Sequence, residues 1–186
     1  MYKEFGQFIN GKWQESSNKE TYEVINPATE EVIGNASKAS PEDVDKALQS
    51  AENGLNIWKN TPAWERSYIL RRIADRIREK KDILAKWMAL EVGKPLTEGL
   101  AEVNGSADIF EWNAEETKRI YGQTVESRFE DTRVHVYYQP IGVVAALSPW
   151  NFPLVLSSRK LSTALAAGCS VMIKPDVITP GVIRDL

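Results

Sequence analysis

The sequence is poor in the residues that build disulfide frameworks and metal clusters. It has one cysteine, Cys169, and one histidine, His135, among 186 residues. A disulfide framework needs cysteine pairs and a structural zinc cluster needs several Cys and His ligands, so both are excluded, and we predict no metal site. The low cysteine content also favours a reducing, cytoplasmic location.

The sequence also lacks an excess of charge of one sign. Its 23 basic residues oppose 26 acidic ones, and they form no block of like charge. This balance argues against nucleic acid or a membrane surface as a partner. The N-terminus, MYKEFGQFINGKW, has no apolar signal region. Residues 136–158 carry no formal charge, but three prolines there would break a spanning helix, so we expect fully buried protein core.

Short strands followed by long helices are predicted for residues 1–121. Asn10-Gly11 between apolar residues favours a type I′ hairpin, and a turn at Pro27 joins two further strands. Ser40 caps a first helix, and apolar periodicity predicts a second helix over 62–92 and a third from Leu96 to about Gly122.

The remaining residues predict extended structure and then a parallel sheet. Alternation over 122–140 indicates a hairpin or a pair of extended strands. From 141 to 186 the order is strand, loop, helix and strand with short links, which is a βαβ unit with parallel strands. Thr179-Pro180 is typical of a further helix start. The fold class is therefore α/β.

The loop SPWNFP holds the first candidate site residue, Asn151. It follows the carboxyl end of a buried strand, which is where ligands bind in open α/β sheets. A rigid loop can aim the amide NH₂ at a carbonyl oxygen that becomes negative during a reaction. Asparagine side chains also satisfy loop backbone groups, so position alone leaves both interpretations open.

Three other residue types carry weaker signals. Lys174, at the end of the second strand, either binds nucleotide hydroxyls or phosphate or is a solvated strand-end lysine. Cys169 lies between a glycine and an apolar strand with no histidine nearby in sequence, which favours a buried core thiol over a nucleophile. His135 stands in an alternating run and is typical of a strand face. Neither standard glycine-rich phosphate loop occurs.

Together these segments resemble the NAD(P)-dependent aldehyde dehydrogenase superfamily along the whole chain. The segments that carry the likeness are FINGKW, INPATEEVIG, EVGKP, WNAEETKRIYG, QPIGVVAALSPWNFP and ALAAGCSVMIKP, in the family's order and spacing. The resemblance implies the N-terminal part of that fold. It comprises N-terminal strands and a helical layer (1–121), oligomerisation strands (122–140) and the start of a Rossmann-like cofactor-binding core (141–186).

The resemblance also implies roles for individual residues. Asn151 matches the oxyanion-hole asparagine, Lys174 the lysine that holds the adenosine ribose, and Arg159 an arginine that succinate-semialdehyde dehydrogenases use for the substrate carboxylate. The loop that lines the cofactor channel corresponds to Leu147, Ser148, Pro149 and Trp150. Residues 122–139 resemble an arm that adds to a partner subunit's sheet, which implies a homo-oligomeric dimer or tetramer.

The sequence departs from the family at two points. Many NAD-preferring members carry a glutamate two positions after Pro175, where this chain has Val177, so either NAD⁺ or NADP⁺ is expected as cofactor. Family members are more than twice as long, and their catalytic cysteine and glutamate lie beyond the matching region.

We therefore expect the N-terminal segment of an enzyme that oxidises an aldehyde, for example succinate semialdehyde, to an acid. This chain alone is expected to be inactive. The alternative functions are a non-catalytic binding or assembly module and a partly folded remnant of such an enzyme.

Overall fold

A computed structural model of the chain describes residues 5–186. It has eight strands: β1 (Gln7–Ile9), β2 (Lys12–Gln14), β3 (Thr21–Ile25), β4 (Val32–Ser37), β5 (Gln123–Glu126), β6 (Arg133–Val136), β7 (Val143–Leu147) and β8 (Ser170–Lys174). It has six helices: α1 (Pro41–Trp58), α2 (Ala63–Glu79), α3 (Lys81–Val92), α4 (Leu96–Thr117), α5 (Pro153–Ala166) and α6 (Pro180–Arg184). No helix within the described residues is both long and apolar enough to span a membrane.

Three antiparallel hairpins form where the sequence predicts them. β1 pairs with β2 through Asn10 and Gly11, whose φ angles of 52° and 74° are the left-handed values that a type I′ turn requires. β3 pairs with β4 around the turn that contains Pro27. β5 pairs with β6 from Gln123 opposite Val136 to Glu126 opposite Arg133, so the predicted hairpin is confirmed.

The main core lies between α2, α3, α4 and α5. Its fully buried members include Leu70, Ile77, Leu84, Met88, Val103, Phe110 and Leu154. Each contributing helix buries apolar side chains and leaves most of its charged residues in solvent, as the periodicity predicts. Glu91 of α3 and Glu102 of α4 are buried exceptions.

The prediction of one continuous helix over 62–92 is wrong. The chain bends at Lys80 (φ −91°, ψ 10°), which separates α2 from α3. No glycine or proline occurs between Ala63 and Val92, so no breaker residue announces the bend. Residues of both helices enter the same core, so tertiary packing decides where the helix ends. α4 also ends at Thr117, a few residues before the predicted position.

The βαβ unit is confirmed by the pairing of β7 and β8. The two strands are parallel and in register from Val143 opposite Ser170 to Leu147 opposite Lys174. Gly168 ends the connection after α5 with a φ of 88°, and a Cβ there would lie 2.8 Å from the Pro140 ring. Glycine is therefore required at this close approach.

The expectation that residues 136–158 are fully buried is wrong. Ala146 and Leu154 are buried, but the side chains of Ile141 and Leu147 are 89% and 65% exposed. β7 and β8 form a two-stranded sheet within the described residues, and this sheet is too narrow to bury every apolar side chain of the segment.

The N-terminal hairpins are joined to α1 by the buried carboxylate of Asp43. Its oxygens accept hydrogen bonds from the side chains of Gln7, Ser16 and Ser17 and from the backbone N–H of Ser40. Ser40 and Asp43 form a capping box at the start of α1. The Ser17 hydroxyl and then the Ser40 N–H hold the pKa of Asp43 far below its ordinary value.

The lowered pKa of Asp43 predicts that its contribution to the free energy of unfolding depends on pH. Its folded pKa lies below the unfolded value of about 3.9, so the contribution is present above about pH 4 and is lost as the pH falls further. We expect Asp43→Asn to lower the urea midpoint at pH 7 and the difference from wild type to shrink at pH 3. Asp45→Asn, on an exposed residue of α1, is the control. An equal difference at both pH values would contradict this role.

Candidate active site

The carboxyl ends of β7 and β8 lie side by side and bring the predicted site residues together. Leu147 is paired with Lys174, and the backbone N–H of Ser148 donates to the Lys174 carbonyl at 3.2 Å. The loop 148–152 therefore leaves the sheet beside the segment 174–177. Lys174 and Val177 are exposed at this edge.

Asn151 lies in this loop, residues 148–152, which we call the strand-end loop. Its side chain is exposed to solvent. Within residues 5–186 its amide makes no hydrogen bond, so it does not satisfy loop backbone groups in this structure. Its backbone carbonyl instead accepts a hydrogen bond of 2.9 Å from Nζ of Lys94. The backbone of Asn151 is thus anchored while its amide remains available to a ligand.

Helix α5 begins directly after this loop without a capping side chain of its own. Phe152 occupies the N-cap position and makes no side-chain cap, and Pro153 at the first helical position has no N–H. The unsatisfied donors are therefore the N–H groups of Leu154 and Val155. Both donate to Oε1 of Glu102, at 3.0 and 3.1 Å. A carboxylate from α4 thus caps α5.

Glu102 is held by an ion pair with Lys94, from the turn between α3 and α4. The Lys94 ammonium donates to Oε2 of Glu102, and the two side chains are only 7% and 1% exposed. The same ammonium lies 4.0 Å from the centroid of the Phe152 ring, a cation–π distance. One buried pair therefore contacts both the loop, at Asn151 and Phe152, and the start of α5.

The short helix α6 uses the same arrangement. Thr179 at its N-cap makes no side-chain cap, and Pro180 follows it. The N–H groups of Gly181 and Val182 donate to Oε1 and Oε2 of Glu91, at 2.7 and 3.1 Å. The helical layer thus supplies a carboxylate to each of the two helices that follow a strand of the parallel pair.

Tyr22 lies near this second carboxylate. Burial and, to a smaller extent, the negative charges of Glu91 and Asp176 together raise the pKa of the Tyr22 hydroxyl to about 12. The Tyr22 hydroxyl therefore stays protonated at neutral pH.

Arg159 lies on the exposed side of α5, six residues after Pro153. At 1.5 Å per residue this places its Cα about 9 Å along the helix axis from the loop. Its guanidinium makes no ion pair within the described residues. The structure therefore places Arg159 on the helix that follows the Asn151 loop, about two turns from its start.

Cys169 and His135 lie where the sequence predicts. Cys169 is 4% exposed at the entrance to β8, and its backbone N–H donates to the Ala164 carbonyl, so a buried core thiol is confirmed. His135 is exposed on β6, with Nδ1 3.2 Å from the Thr124 hydroxyl of the paired strand. Both residues belong to other parts of the fold than the Asn151 loop.

Sequence reasoning missed the two buried glutamates and the role of Lys94. EVGKP was recognised only as part of a resemblance. One local signal was present: Phe152-Pro153 begins a helix with no Ser, Thr, Asp or Asn at the N-cap. Such a start needs a distant acceptor, but the sequence does not tell which of 26 acidic residues supplies it.

With the geometry established, comparison with known proteins identifies the family. Residues 13–185 match the aldehyde dehydrogenase family. The chain belongs to that family. Glutarate-semialdehyde dehydrogenase of Pseudomonas putida is 45% identical over 173 residues, which are 93% of this chain and 36% of the relative. NADP⁺-dependent succinate-semialdehyde dehydrogenase of Escherichia coli is 43% identical over 172 residues, covering 92% and 36%.

Solved structures of related proteins have the same fold. An NADP-dependent enzyme of Escherichia coli superposes with a TM-score of 0.95 at 42% identity, over 97% of this chain and 38% of that chain. Betaine aldehyde dehydrogenase of Staphylococcus aureus in complex with NAD⁺ gives 0.93 at 37% identity, over 97% and 36%. The chain thus spans little more than a third of its relatives' length, and the expected N-terminal part of the aldehyde dehydrogenase fold is confirmed.

Proposed function

We propose that this chain supplies the oxyanion donor and part of the cofactor site of an enzyme that oxidises a small semialdehyde to its acid with NAD⁺ or NADP⁺. The observation that carries this proposal is the Asn151 amide. It is exposed and has no hydrogen-bond partner within residues 5–186, on a loop whose backbone is anchored at the carboxyl end of a parallel strand pair.

Asn151 acts on the aldehyde oxygen. When a nucleophile adds to the aldehyde carbon, the oxygen gains negative charge, and a positioned NH₂ donor stabilises that charge more than it stabilises the ground state. One such donor contributes about 2.7–4 kcal/mol of transition-state stabilisation. The nucleophile is not Cys169, because this thiol is buried away from the loop.

The strand ends fit a dinucleotide. Lys174 presents an exposed ammonium that makes no ion pair within the described residues. Beside it, Leu147 at the end of β7 and Pro149 and Trp150 in the loop are exposed, whereas Ser148 is buried. NAD(P)⁺ supplies the hydride acceptor when bound. Lys174 would hold ribose hydroxyls, while exposed Leu147 and Trp150 would cover apolar parts of the cofactor and exclude water.

Val177 favours acceptance of NADP⁺ as well as NAD⁺. Its side chain is 53% exposed beside Lys174 and brings no charge to the place where a ribose 2′-phosphate would lie. The neighbouring carboxylate of Asp176 accepts the Ile178 N–H at 3.1 Å, which holds it in a local turn. The use of NADP⁺ by the Escherichia coli relative supports this proposal.

Arg159 is the proposed anchor for the far carboxylate of the substrate. Its exposed guanidinium can bind both oxygens of a carboxylate, and it lies on the helix that follows Asn151. The relatives named for succinate and glutarate semialdehydes support a substrate with an aldehyde at one end and a carboxylate at the other.

The β5–β6 hairpin is the proposed contact between subunits. Its apolar side chains Val125, Phe129 and Val134 are 42–60% exposed, and its strands have unpaired edges within the described residues. An edge strand can extend the sheet of another subunit. This supports a homo-oligomer in which the β5–β6 hairpin forms the interface.

Activity can be tested in a hybrid enzyme. In this hybrid, residues 13–185 replace the matching segment of the Escherichia coli succinate-semialdehyde dehydrogenase. Turnover is followed as NAD(P)H absorbance. A folded hybrid without turnover would contradict the proposed function.

Asn151→Ala in the hybrid enzyme tests the oxyanion role. We expect kcat to fall about 10²–10³-fold with little change in KM, because the lost hydrogen bond forms mainly in the transition state. Asn56→Ala, on an exposed asparagine of α1, is the matched control and should retain full turnover. A kcat within twofold of the unsubstituted hybrid would exclude the role.

Arg159→Ala tests the substrate carboxylate anchor. A hydrogen bond to a charged group contributes about 1.5–3 kcal/mol, so KM for succinate semialdehyde should rise roughly 10- to 100-fold. KM for butanal, which has the same chain length and no carboxylate, should hardly change. Equal effects on both aldehydes would rule out carboxylate recognition by Arg159.

Val177→Glu tests cofactor choice. A glutamate would repel a ribose 2′-phosphate, so we expect kcat/KM for NADP⁺ to fall at least about tenfold relative to that for NAD⁺. Val177→Gln, which adds similar bulk without charge, is the control. If the unsubstituted hybrid enzyme strongly prefers NAD⁺, the proposed acceptance of NADP⁺ is refuted.

A further inference from the structure

We infer that Lys94 and Glu102 are positioning residues for Asn151, holding the strand-end loop so that its amide is presented in one orientation. This inference rests on the proposed oxyanion role. It assigns a task to EVGKP, whose lysine precedes Asn151 by 57 residues, and to a glutamate in the interior of α4.

The loop is held at three places, and the Lys94–Glu102 pair provides two of them. On the strand side, the Ser148 N–H is tied to the Lys174 carbonyl. On the helix side, Glu102 accepts the first two available N–H groups of α5. Between them, Lys94 donates to the carbonyl of Asn151 itself.

The Asn151 side chain has no support of its own. Because its amide makes no hydrogen bond within the described residues, its position follows from the backbone on either side. Pro149 and Pro153 restrict two backbone φ angles of this segment but leave the peptide groups of Trp150, Asn151 and Phe152 able to rotate. The Lys94 ammonium restrains that freedom by binding the Asn151 carbonyl and lying over the Phe152 ring.

The two charges depend on each other. Glu102 is 1% and Lys94 7% exposed at the side chain, so either charge left alone would be buried without its partner. Together they form a unit that contacts Asn151, Phe152, Leu154 and Val155. A catalytic donor displaced by about 1 Å can lose about 10²-fold in rate, so the unit has a direct bearing on turnover.

The first test uses the 186-residue chain and amide hydrogen exchange. Glu102→Ala should accelerate amide exchange at Leu154 and Val155 about 10- to 100-fold, because each N–H loses a hydrogen bond to a charged acceptor. Glu91→Ala is the matched control: it removes the same group from the cap of α6 and should accelerate Gly181 and Val182 instead. Unchanged protection at Leu154 and Val155 in folded Glu102→Ala would overturn the inference.

Lys94→Met provides a second variant if Glu102→Ala does not fold. It keeps the capping carboxylate and removes the contact with the Asn151 carbonyl. The side-chain NH₂ resonances of Asn151 should shift and broaden, whereas those of Asn56 should not. Asn151 resonances identical to those of the unsubstituted chain would overturn the role of Lys94.

The second test uses the hybrid enzyme to separate positioning from folding. Lys94→Met and Glu102→Ala should lower kcat about 10- to 100-fold with KM for the aldehyde changed less than threefold, the pattern of a misplaced donor. Val103→Ala, beside Glu102 and fully buried, should destabilise the core without lowering kcat. An equal loss of kcat in Val103→Ala would show that the lower kcat results from a destabilised core, and it would overturn the inference.

The outcomes distinguish this inference from the proposed function. If Asn151→Ala leaves kcat unchanged while Glu102→Ala accelerates exchange at Leu154 and Val155, the oxyanion role fails and the anchoring stands. If Asn151→Ala lowers kcat, while Glu102→Ala and Lys94→Met change neither kcat nor the exchange of Leu154 and Val155, the oxyanion role stands and the positioning inference fails.

Discussion

The geometry of the strand-end loop depends on the buried carboxylate of Glu102. A helix that begins with Pro153 after Phe152 has no local acceptor for its first N–H groups, and buried donors without partners are costly. Glu102 removes that cost by accepting from Leu154 and Val155. Its negative charge also lies at the positive end of the α5 dipole, where it is most stabilising.

A charge buried this deeply needs a counter-ion, and Lys94 serves as one while also binding the loop. Its ammonium joins Glu102 to the Asn151 carbonyl and to the Phe152 ring, so charge neutralisation and loop restraint come from one group. Glu91 repeats the capping arrangement at α6. The helices α3 and α4 are therefore more than a layer of core packing: they set the start of each helix that follows a parallel strand.

This arrangement meets the main requirement for an oxyanion donor, which is a fixed position. Such a donor is effective when its position is established before charge develops, since reorganisation during the reaction would consume the stabilisation. The anchors lie on α4 and on the turn before it, and the proposed donor, Asn151, lies on an exposed loop. Rigid elements thus hold the position, while the Asn151 amide, Trp150 of the loop and Leu147 at the end of β7 are exposed to a ligand.

Local sequence determined the features that depend on neighbouring residues. The Asn10-Gly11 turn, the Ser40–Asp43 capping box and the βαβ order follow from backbone preferences and short-range hydrogen bonds, and all three form in the structure. The position of Asn151 after a strand was likewise readable, because a strand, a proline-bounded loop and a helix occur in direct succession.

Tertiary structure alone decided the bend at Lys80 and the partners of Asn151. α2 and α3 separate without a breaker residue because both pack into one core. Lys94 reaches the Asn151 carbonyl from 57 residues away, and Glu102 reaches the Leu154 N–H at the start of α5 from 52 residues away. Only folding selects them among many similar charges. Hydrogen bonds between distant residues leave no periodic or local pattern in a sequence, and for this reason the loop could be predicted but not what holds it.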